Sequence, residues 1–375
     1  MTQIVQCANF VTPRSGGLRT AMRHLAEGYA ALGHEVVQIV PGHRDEVERT
    51  PWGTIHRLHA PVLPGSGGYR VIPRPARVTQ LLSALAPDRL EVHDRLTLRG
   101  LGRWARRHDL PAIVVVHERL DLLAARLVPG GMRLRRMIDA DNRRLATGFD
   151  TVVCTTDWAA QEFDRLPAPN LRRVPLGVDL IGFHPANRDF ALRLKLSPDG
   201  AALLVTAVRL SPEKAPMRVV ETVRELVSRG LPIRCVIAGD GPLRERMERA
   251  AAGLPIEFVG FLSDRGELAR LLSSADVVLA PGPIETFGLA ALEALASGTP
   301  VVVDAASALP EVIGSAGWAV PGRPTAFADA VQEVLGLPRG PARTRARERA
   351  ETFDWARTAA GFLDAHEVEP RVVVR

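Results

Sequence analysis

The chain has 375 residues, of which 46% are hydrophobic and 24% charged, and this composition is typical of a soluble globular protein with about two domains. No apolar run reaches the roughly 20 residues that span a bilayer, and the start "MTQIVQCANF" is typical of a first strand rather than a signal peptide, so we expect a cytoplasmic protein. The net charge of +6 comes from arginine-rich segments such as "RGLGRWARRHD" and "RLVPGGMRLRRM", which indicate either an anionic partner or only a solvated surface.

Short β-branched runs alternate along the chain with longer helical patterns. The predicted strands are 35–40, 112–116, 151–154, 202–208, 233–239, 276–280 and 300–303, and the clearest helices are 17–32, 217–228, 243–252 and 267–274. Continuous apolar strands separated by helices predict parallel sheets covered on both faces, which is doubly wound α/β architecture. The series restarts after residues 175–185. We therefore predict two domains, 1–178 and 179–353, that face each other across a ligand cleft, with a C-terminal helix (354–375) packing back on the first.

Three isolated cysteines, Cys7, Cys154 and Cys235, lie in apolar strand-like runs. They form no CxxC pair and no metal-ligand spacing, so we predict reduced core residues rather than a metal site or a catalytic thiol.

Two motifs in the first domain follow predicted strands. Gly16 and Gly17 form a turn before a helix, where backbone N–H groups can meet a phosphate or an acceptor, although such turns are also common without a ligand. His117, in "VHERLD", follows the strand 112–116 at the edge where α/β sites are built, or else it caps the next helix.

Three further motifs follow strands of the second domain. Arg209 and Lys214, in "RLSPEK", can grip a pyrophosphate from two sides, or form an exposed turn that starts a helix. Gly239, in "AGDGP", permits close approach of a ligand without requiring one. Phe261 follows "FVG" in a loop whose backbone can read the edge of a base.

Two glutamates, Glu285 and Glu293, stand eight positions apart in "PIETFGLAALEAL". We predict a helix that begins near residue 286 or 287, with Glu285 at its mouth beside free backbone N–H groups. Glu293 lies among Ala and Leu, so it needs a polar partner, either a vicinal diol such as ribose or a neighbouring arginine. The N–H groups expected at the helix mouth belong to three residues: Phe287, Gly288 and Leu289.

These motifs occur together in one known family. The chain resembles retaining glycosyltransferase family 4 in the order and spacing of six motifs: "SGGLR", "HERLD", "VRLSPEK", "AGDGPLR", "VGFLSD" and the E-x7-E element "ETFGLAALE". Members of that family have the GT-B fold of two Rossmann-like domains. The segments "ANFVTPRSGGLRT", "HDRLTLRGLGRW" and "HERLD" are most similar to actinobacterial GDP-mannose-dependent phosphatidylinositol mannoside mannosyltransferases. The resemblance therefore implies transfer of mannose from GDP-mannose to a glycolipid.

The resemblance also implies a role for each motif. Glu285 would hold hydroxyls of the donor sugar, Glu293 would bind the ribose, and His117 would contact the sugar near the reacting carbon. Arg209 and Lys214 would neutralise the departing pyrophosphate, with no bound metal or cofactor, so that electrostatic stabilisation is the main catalytic effect. Further donor contacts are implied for Gly16, Gly17, Gly239, Phe261 and residues 287–289.

Two segments depart from the family pattern. Val208 and the pair Ala215 and Pro216 stand where the family usually has glycine, which narrows the room around the phosphates. No carboxylate nucleophile can be named beneath the sugar except Glu285, whose family role argues against it, so we hypothesise a front-face reaction.

The acceptor is the least specified part of the reaction. Arg19, Arg95 and Arg119 are candidates for contact with an anionic acceptor, or else for salt bridges. Basic residues 126–136 would dock the protein on the inner face of the cytoplasmic membrane. The alternatives are a UDP-sugar donor with a soluble acceptor and a non-hydrolysing sugar-nucleotide epimerase. A nucleic-acid-binding protein is disfavoured, because only 5% of residues are aromatic.

Overall fold

The computed structural model describes residues 1–11, 16–64, 66, 68–127, 131–168 and 170–368. The predicted loop residues 12–15 and part of the basic segment 126–136 lie outside these ranges. The chain divides into two compact units, one formed by residues 1–177 and 355–375 and the other by residues 178–354.

The first unit is built on an eight-stranded sheet. Its strands are β1 (Gln3–Cys7), β2 (Glu35–Gly42), β3 (Glu46–Thr50), β4 (Gly53–His59), β5 (Arg89–Val92), β6 (Ala112–Val116), β7 (Thr151–Cys154) and β8 (Leu171–Arg173). The order is β3-β4-β2-β1-β5-β6-β7-β8, and the β3–β4 pair is antiparallel whereas the others are parallel. Its helices are α1 (Gly17–Ala31), α2 (Pro75–Leu85), α3 (Gly100–Arg107), α4 (Leu120–Leu127), α5 (Gly131–Gly148) and α6 (Asp157–Ala160).

The second unit has a six-stranded parallel sheet. Its strands are β9 (Ala202–Ala207), β10 (Ile233–Ala238), β11 (Ile256–Gly260), β12 (Val277–Ala280), β13 (Val301–Asp304) and β14 (Trp318–Val320), in the order β11-β10-β9-β12-β13-β14. This is the order 3-2-1-4-5-6 of dinucleotide-binding folds. Its helices are α7 (Phe190–Leu196), α8 (Met217–Ser228), α9 (Arg244–Ala250), α10 (Arg265–Ser274), α11 (Leu289–Ala296), α12 (Leu309–Ile313), α13 (Pro324–Gly336) and α14 (Arg339–Glu351).

The last helix, α15 (Trp355–Ala365), belongs to the first unit. It packs against α1 so closely that a side chain at Gly28 would place its Cβ atom 2.6 Å from the Cβ atom of Ala359. The ring of Trp355 also stacks on His24 of α1, with 4.8 Å between the ring centroids. Tight helix packing therefore holds α15 on the first unit.

The central strands of each sheet contribute β-branched and aliphatic side chains, buried on both faces, to a hydrophobic core that the covering helices complete. The predicted α/β class is confirmed. Cys7, Cys154 and Cys235 are buried and free, and burial raises the pKa of the Cys154 and Cys235 thiols to about 12, so the catalytic-thiol alternative fails. None of the described helices combines the length and apolar character needed to cross a bilayer.

Candidate functional site

The clearest constellation lies in the second unit, where the strand order reverses between β9 and β12. Loops after two such strands meet beyond the carboxyl edge of the sheet, which is where doubly wound folds bind ligands. Lys214 lies on the loop after β9 and Glu285 on the loop after β12, and Lys214 Nζ donates to Glu285 Oε1 at 2.7 Å. Both side chains are largely buried. The structure thus brings two of the predicted catalytic residues together as an ion pair.

The backbone after Lys214 explains how the lysine is aimed. Residues Pro212–Lys214 form a short 3-10 turn, and Ala215 ends it in the left-handed conformation, with φ 45° and ψ 44°. An alanine in this region is strained by about 1–2 kcal/mol, whereas glycine is not. The departure from the family pattern at Ala215 therefore stores strain beside Lys214. Arg209 lies half-buried earlier on the same loop.

The helix that follows Glu285 begins later than we predicted. It starts at Leu289 rather than at residue 286 or 287, because Gly288 has φ 79° and cannot continue a right-handed helix. A side chain at Gly288 would also place its Cβ atom 2.2 Å from Leu309 Cδ2, so glycine is required for two reasons. Within the described part of the chain, no acceptor takes the N–H groups of Phe287, Gly288 and Leu289. Phe287 itself is buried and packs edge-to-face on Phe353.

Glu293 is 5% exposed on α11, and its protein partner is Arg265 at the start of α10. Arg265 Nη2 donates to Glu293 Oε1 at 2.7 Å, and the guanidinium lies 4.6 Å from the centre of the Phe183 ring. The arginine alternative that we kept open is thus confirmed for one carboxylate oxygen. Burial raises the pKa of Glu293, although Arg265 opposes the rise.

Gly239 and Phe261 lie at the ends of neighbouring strands β10 and β11. Gly239 has φ 153°, and a side chain there would place Cβ 1.9 Å from the carbonyl oxygen of Val208, so only glycine fits. This requirement comes from the chain itself, and a ligand contact at Gly239 stays a prediction. Phe261 is 41% exposed, which is uncommon for a large apolar side chain and leaves its ring available for stacking.

In the first unit, His117 follows β6 at the carboxyl edge of the sheet, as predicted from its position. Its Nε2 atom lies 2.9 Å from Nδ1 of His93, which follows the neighbouring strand β5, and the two rings stack. Burial, together with the charge of His93, lowers the pKa of His117 to about 3. His117 is therefore a neutral imidazole at physiological pH. It does not cap the next helix, which begins at Leu120.

Two of the predicted acceptor residues are occupied in buried interactions. Arg95 is fully buried and donates to Glu162 Oε2 at 2.6 Å, and Asn142 accepts a further bond from it. Arg119, 8% exposed, forms a two-pronged ion pair with Asp121 at 2.7 and 3.0 Å and lies over the Trp158 ring. The salt-bridge alternative describes both arginines, because their charges are already neutralised inside the unit.

The other predicted residues of this unit lie on its surface. Gly16 and Gly17 are exposed at the start of α1, and an added Cβ atom at either position would meet nothing within 4 Å. Arg19 is exposed on the first turn of the same helix. A ligand contact at any of these three positions stays a prediction.

Sequence reasoning placed Glu118 beside His117 at the strand end, but it assigned no role to Glu118 or to Glu91. Glu118 is the next residue, and burial, reinforced by Asp94 and Glu162 and opposed by Arg95, raises its pKa to about 7. Glu91, on β5, is a fully buried carboxylate that contacts His93. The signal for Glu91 was its spacing of two from His93, which continues the extended chain just after β5, so that both side chains lie on the same side.

The described residues contain no cluster of three or more His, Cys, Asp or Glu side chains that could hold a metal ion. The arrangement in the second unit instead offers a cation, two carboxylates and unpaired backbone N–H groups. This set can bind sugar hydroxyls and phosphate oxygens.

Comparison with known proteins matches both halves of the chain. The description "Glycosyl transferase 4-like domain" applies to residues 16–177, and "Glycosyl transferases group 1" applies to residues 188–353. Among solved structures, sucrose-phosphate synthase from Thermosynechococcus elongatus superimposes with a TM-score of 0.79 at 21% identity, covering 98% of both chains. Anabaena Alr3699/HepE in complex with UDP-glucose gives a TM-score of 0.77 at 16% identity, covering 98% of this chain and all of that one (100%). These likenesses establish the fold.

Relatives found by sequence have a higher identity to this chain than these solved structures do. The GDP-mannose-dependent alpha-(1-6)-phosphatidylinositol dimannoside mannosyltransferase of Mycobacterium tuberculosis is 50% identical over 363 residues, which are 96% of this chain and 95% of the relative. The D-inositol 3-phosphate glycosyltransferase of Saccharomonospora viridis is 32% identical over 73% of this chain and 69% of the relative. With both halves matched and a relative of this similarity covered almost end to end, the chain belongs to the group 1 glycosyltransferases with a family 4-like N-terminal domain and the GT-B fold.

Proposed function

We propose that the protein is a retaining mannosyltransferase that transfers mannose from GDP-mannose to a phosphatidylinositol mannoside or a related glycolipid. The observation that carries the proposal is the 50% identity, over 96% of this chain, to a mycobacterial enzyme whose name specifies that donor and acceptor. The D-inositol 3-phosphate glycosyltransferase relative also acts, by its name, on a phosphorylated inositol. A phosphoinositol group is therefore the common acceptor chemistry.

In this proposal the second unit binds the donor. Glu293 accepts hydrogen bonds from the ribose hydroxyls with the carboxylate oxygen that Arg265 leaves available. Lys214 and Arg209 neutralise the pyrophosphate, while the N–H groups of residues 287–289 donate to sugar and phosphate oxygens. The 2.7 Å contact between Lys214 and Glu285 supports this assignment, because it places a cation and a hydroxyl acceptor side by side.

The reaction that we propose proceeds on one face of the sugar. The bond between the anomeric carbon and the phosphate oxygen breaks while the acceptor hydroxyl attacks from the same side, and the departing phosphate takes the hydroxyl proton. Lys214 and Arg209 stabilise the charge that develops on the phosphate, which is the largest contribution in such sites. Glu285 is held by Lys214 and does not act as the nucleophile. A trapped covalent sugar adduct on Glu285 that proceeds to product would refute this route.

Calorimetric titration with GDP, UDP and ADP tests the donor assignment. We expect selective binding of GDP, weakened about ten- to hundredfold in Glu293→Ala, because two hydrogen bonds to a carboxylate are lost. Glu267→Ala, which removes an exposed carboxylate from the same unit, is the matched control and should bind GDP normally. Selective binding of UDP would refute the mannosyl donor, and failure to bind any nucleotide would refute the donor site.

A transfer assay separates the remaining alternatives. We expect radiolabelled mannose to move from GDP-mannose to phosphatidylinositol mannoside in vesicles. Conversion of the nucleotide sugar without an acceptor would indicate an epimerase, and transfer to inositol phosphate alone would indicate a soluble acceptor.

Membrane docking is a further part of the proposal. Helices α3 and α5 pack together, and α5 exposes Arg133, Arg135 and Arg136 beside Met137, which is 70% exposed. Each cation near an anionic surface contributes roughly 1 kcal/mol, and an apolar side chain can enter the interface. We expect the protein to float with vesicles that contain phosphatidylinositol but not with pure phosphatidylcholine. Arg133→Glu combined with Arg136→Glu should abolish flotation, and flotation that ignores lipid charge would contradict docking.

A further inference from the structure

A buried carboxylate in the first unit collects four hydrogen-bond donors. Glu91 is fully buried, and its Oε1 accepts from Gln6 Nε2 at 2.7 Å and from His93 Nε2 at 2.6 Å. Its Oε2 accepts from the Tyr29 hydroxyl at 2.7 Å and from His366 Nε2 at 3.0 Å. The contacts come from β1, α1, the end of β5 and the residue that follows α15. This cluster links four distant parts of the chain, yet the donor chemistry described above does not use it.

The hydrogen bonds fix the charge of Glu91. Gln38 Nε2 donates to the Met22 carbonyl and to Gln6 Oε1, so the amide nitrogen of Gln6 must face Glu91. A carboxylate that faces donors on both oxygens is ionised. Burial alone would raise the pKa of Glu91, but the charge of His93 and the hydrogen bonds from His366 and His93 outweigh it, and the pKa lies well below its usual range.

A buried carboxylate requires a compensating positive charge. Among the described contacts of Glu91, only His93 and His366 can carry one, since Arg89 donates to the backbone oxygen of His366 and not to the carboxylate. Nδ1 of His366 is buried without a partner, so a second proton there would be an unsatisfied donor. Nδ1 of His93 instead lies 2.9 Å from Nε2 of His117, which can accept a proton from it when the ring of His117 carries its own proton on Nδ1. The hydrogen-bond geometry therefore assigns the charge to His93.

We propose that Glu91 and His93 are positioning residues for His117. Ionised Glu91 holds His93 as an imidazolium, and His93 donates from Nδ1 to Nε2 of His117. This bond fixes the ring of His117 and leaves its own proton on Nδ1, so that His117 is a hydrogen-bond donor at that nitrogen. The functional part of the inference rests on the proposed function and on the contact with the donor sugar that the family resemblance implies for His117. The hydrogen-bonded chain from Glu91 through His93 to His117, here called the relay, does not depend on the proposed function.

Nuclear magnetic resonance tests the relay without an activity assay. With ¹⁵N-labelled histidine in the full-length protein, the signals of His117 are identified by their loss in His117→Gln. We expect a neutral ring protonated on Nδ1. His93→Gln keeps an amide donor for Glu91 but has no atom at the Nδ1 position, so it should release His117 into a mixture of tautomers. A ring protonated on Nε2 in the wild type, or a tautomer unchanged in His93→Gln, would overturn the relay.

Kinetics test its role in the reaction, and His366 provides the matched control. His366→Gln makes the same replacement at the histidine that contacts the other oxygen of Glu91 and does not contact His117. We expect His93→Gln to lower kcat for mannosyl transfer about ten- to hundredfold with KM for GDP-mannose nearly unchanged, as for lost support of an active-site histidine. His366→Gln should keep kcat within about twofold, by the same reasoning. Both variants should show similar Tm values.

The two failures are distinguishable. If the wild type transfers mannose and both variants lose kcat equally, the cluster is only structural and the positioning role is wrong. If the wild type does not transfer mannose, the proposed function fails, and the tautomer of His117 still decides whether the relay exists.

Discussion

Replacement of Glu118 by glutamine should change how the stability of the first unit depends on pH. Burial raises the pKa of Glu118 from 4.5 to about 7, helped by Asp94 and Glu162 and opposed by Arg95. The folded chain therefore keeps this proton up to about pH 7, whereas the unfolded chain releases it near pH 4.5. Between these values the folded state binds more protons, so its stability falls as the pH rises.

The magnitude follows from the distance between the two pKa values. At about 1.4 kcal/mol for each pH unit, the free energy of unfolding of the wild type falls by about 3 kcal/mol between pH 4.5 and 7. Glutamine cannot ionise, so the Glu118→Gln variant does not show this fall. Glu118→Gln should therefore match the wild type near pH 4 and exceed its free energy of unfolding by about 3 kcal/mol at pH 8.

Urea unfolding at a series of pH values, followed by tryptophan fluorescence, measures this difference. Four of the five tryptophans, namely Trp52, Trp104, Trp158 and Trp355, lie in the first unit, so the signal reports mainly on it. Glu35→Gln, at an exposed position of the same unit, controls for the loss of a carboxylate. A difference between Glu118→Gln and the wild type that stays constant from pH 4 to 8 would refute the assignment of a protonated Glu118.

Three further predictions concern the second unit. Gly288→Ala should destabilise it by about 2–4 kcal/mol in thermal unfolding, because backbone strain adds to a clash, whereas Gly200→Ala, at φ 72° in open space, should show the strain alone. Ala215→Gly should raise the free energy of unfolding by about 0.5–1 kcal/mol, since relief of left-handed strain exceeds the added chain entropy; an unchanged value would contradict the strain. Lys214→Met should lower kcat about a hundredfold or more through loss of leaving-group stabilisation, and retention of activity would remove Lys214 from the site.

The fold was predictable where strands are apolar on both faces. The runs 112–116 and 151–154 match β6 and β7 residue for residue, because a continuous β-branched segment between helices has few alternatives. The strand β3, with the sequence "EVERT", was missed because it is an exposed, polar edge strand that carries no apolar signal. The start of α11 was misplaced because the conformation of Gly288 depends on the packing of Leu309.

The site was predictable to the extent that sheet topology determines it. Loops that follow adjacent parallel strands must meet, so the proximity of Lys214 and Glu285 follows once both are assigned to strand ends. The partner of Glu293 was not predictable, because Arg265 lies 28 positions away and only the packing of α10 against α11 brings it close. The same limit applies to Arg95, whose burial depends on Glu162 of a distant segment.

The backbone between Glu285 and Glu293 explains why the two carboxylates, eight positions apart, lie in different surroundings. If the helix began before Glu285, the two side chains would lie about two turns apart on one continuous helix. The left-handed Gly288 instead separates an irregular segment, which carries Glu285, from α11, which carries Glu293. Each carboxylate consequently has its own cation, Lys214 for the first and Arg265 for the second. In the donor site that we propose, the break allows both carboxylates to contact one ligand, with the sugar end at the loop and the nucleoside end at the helix.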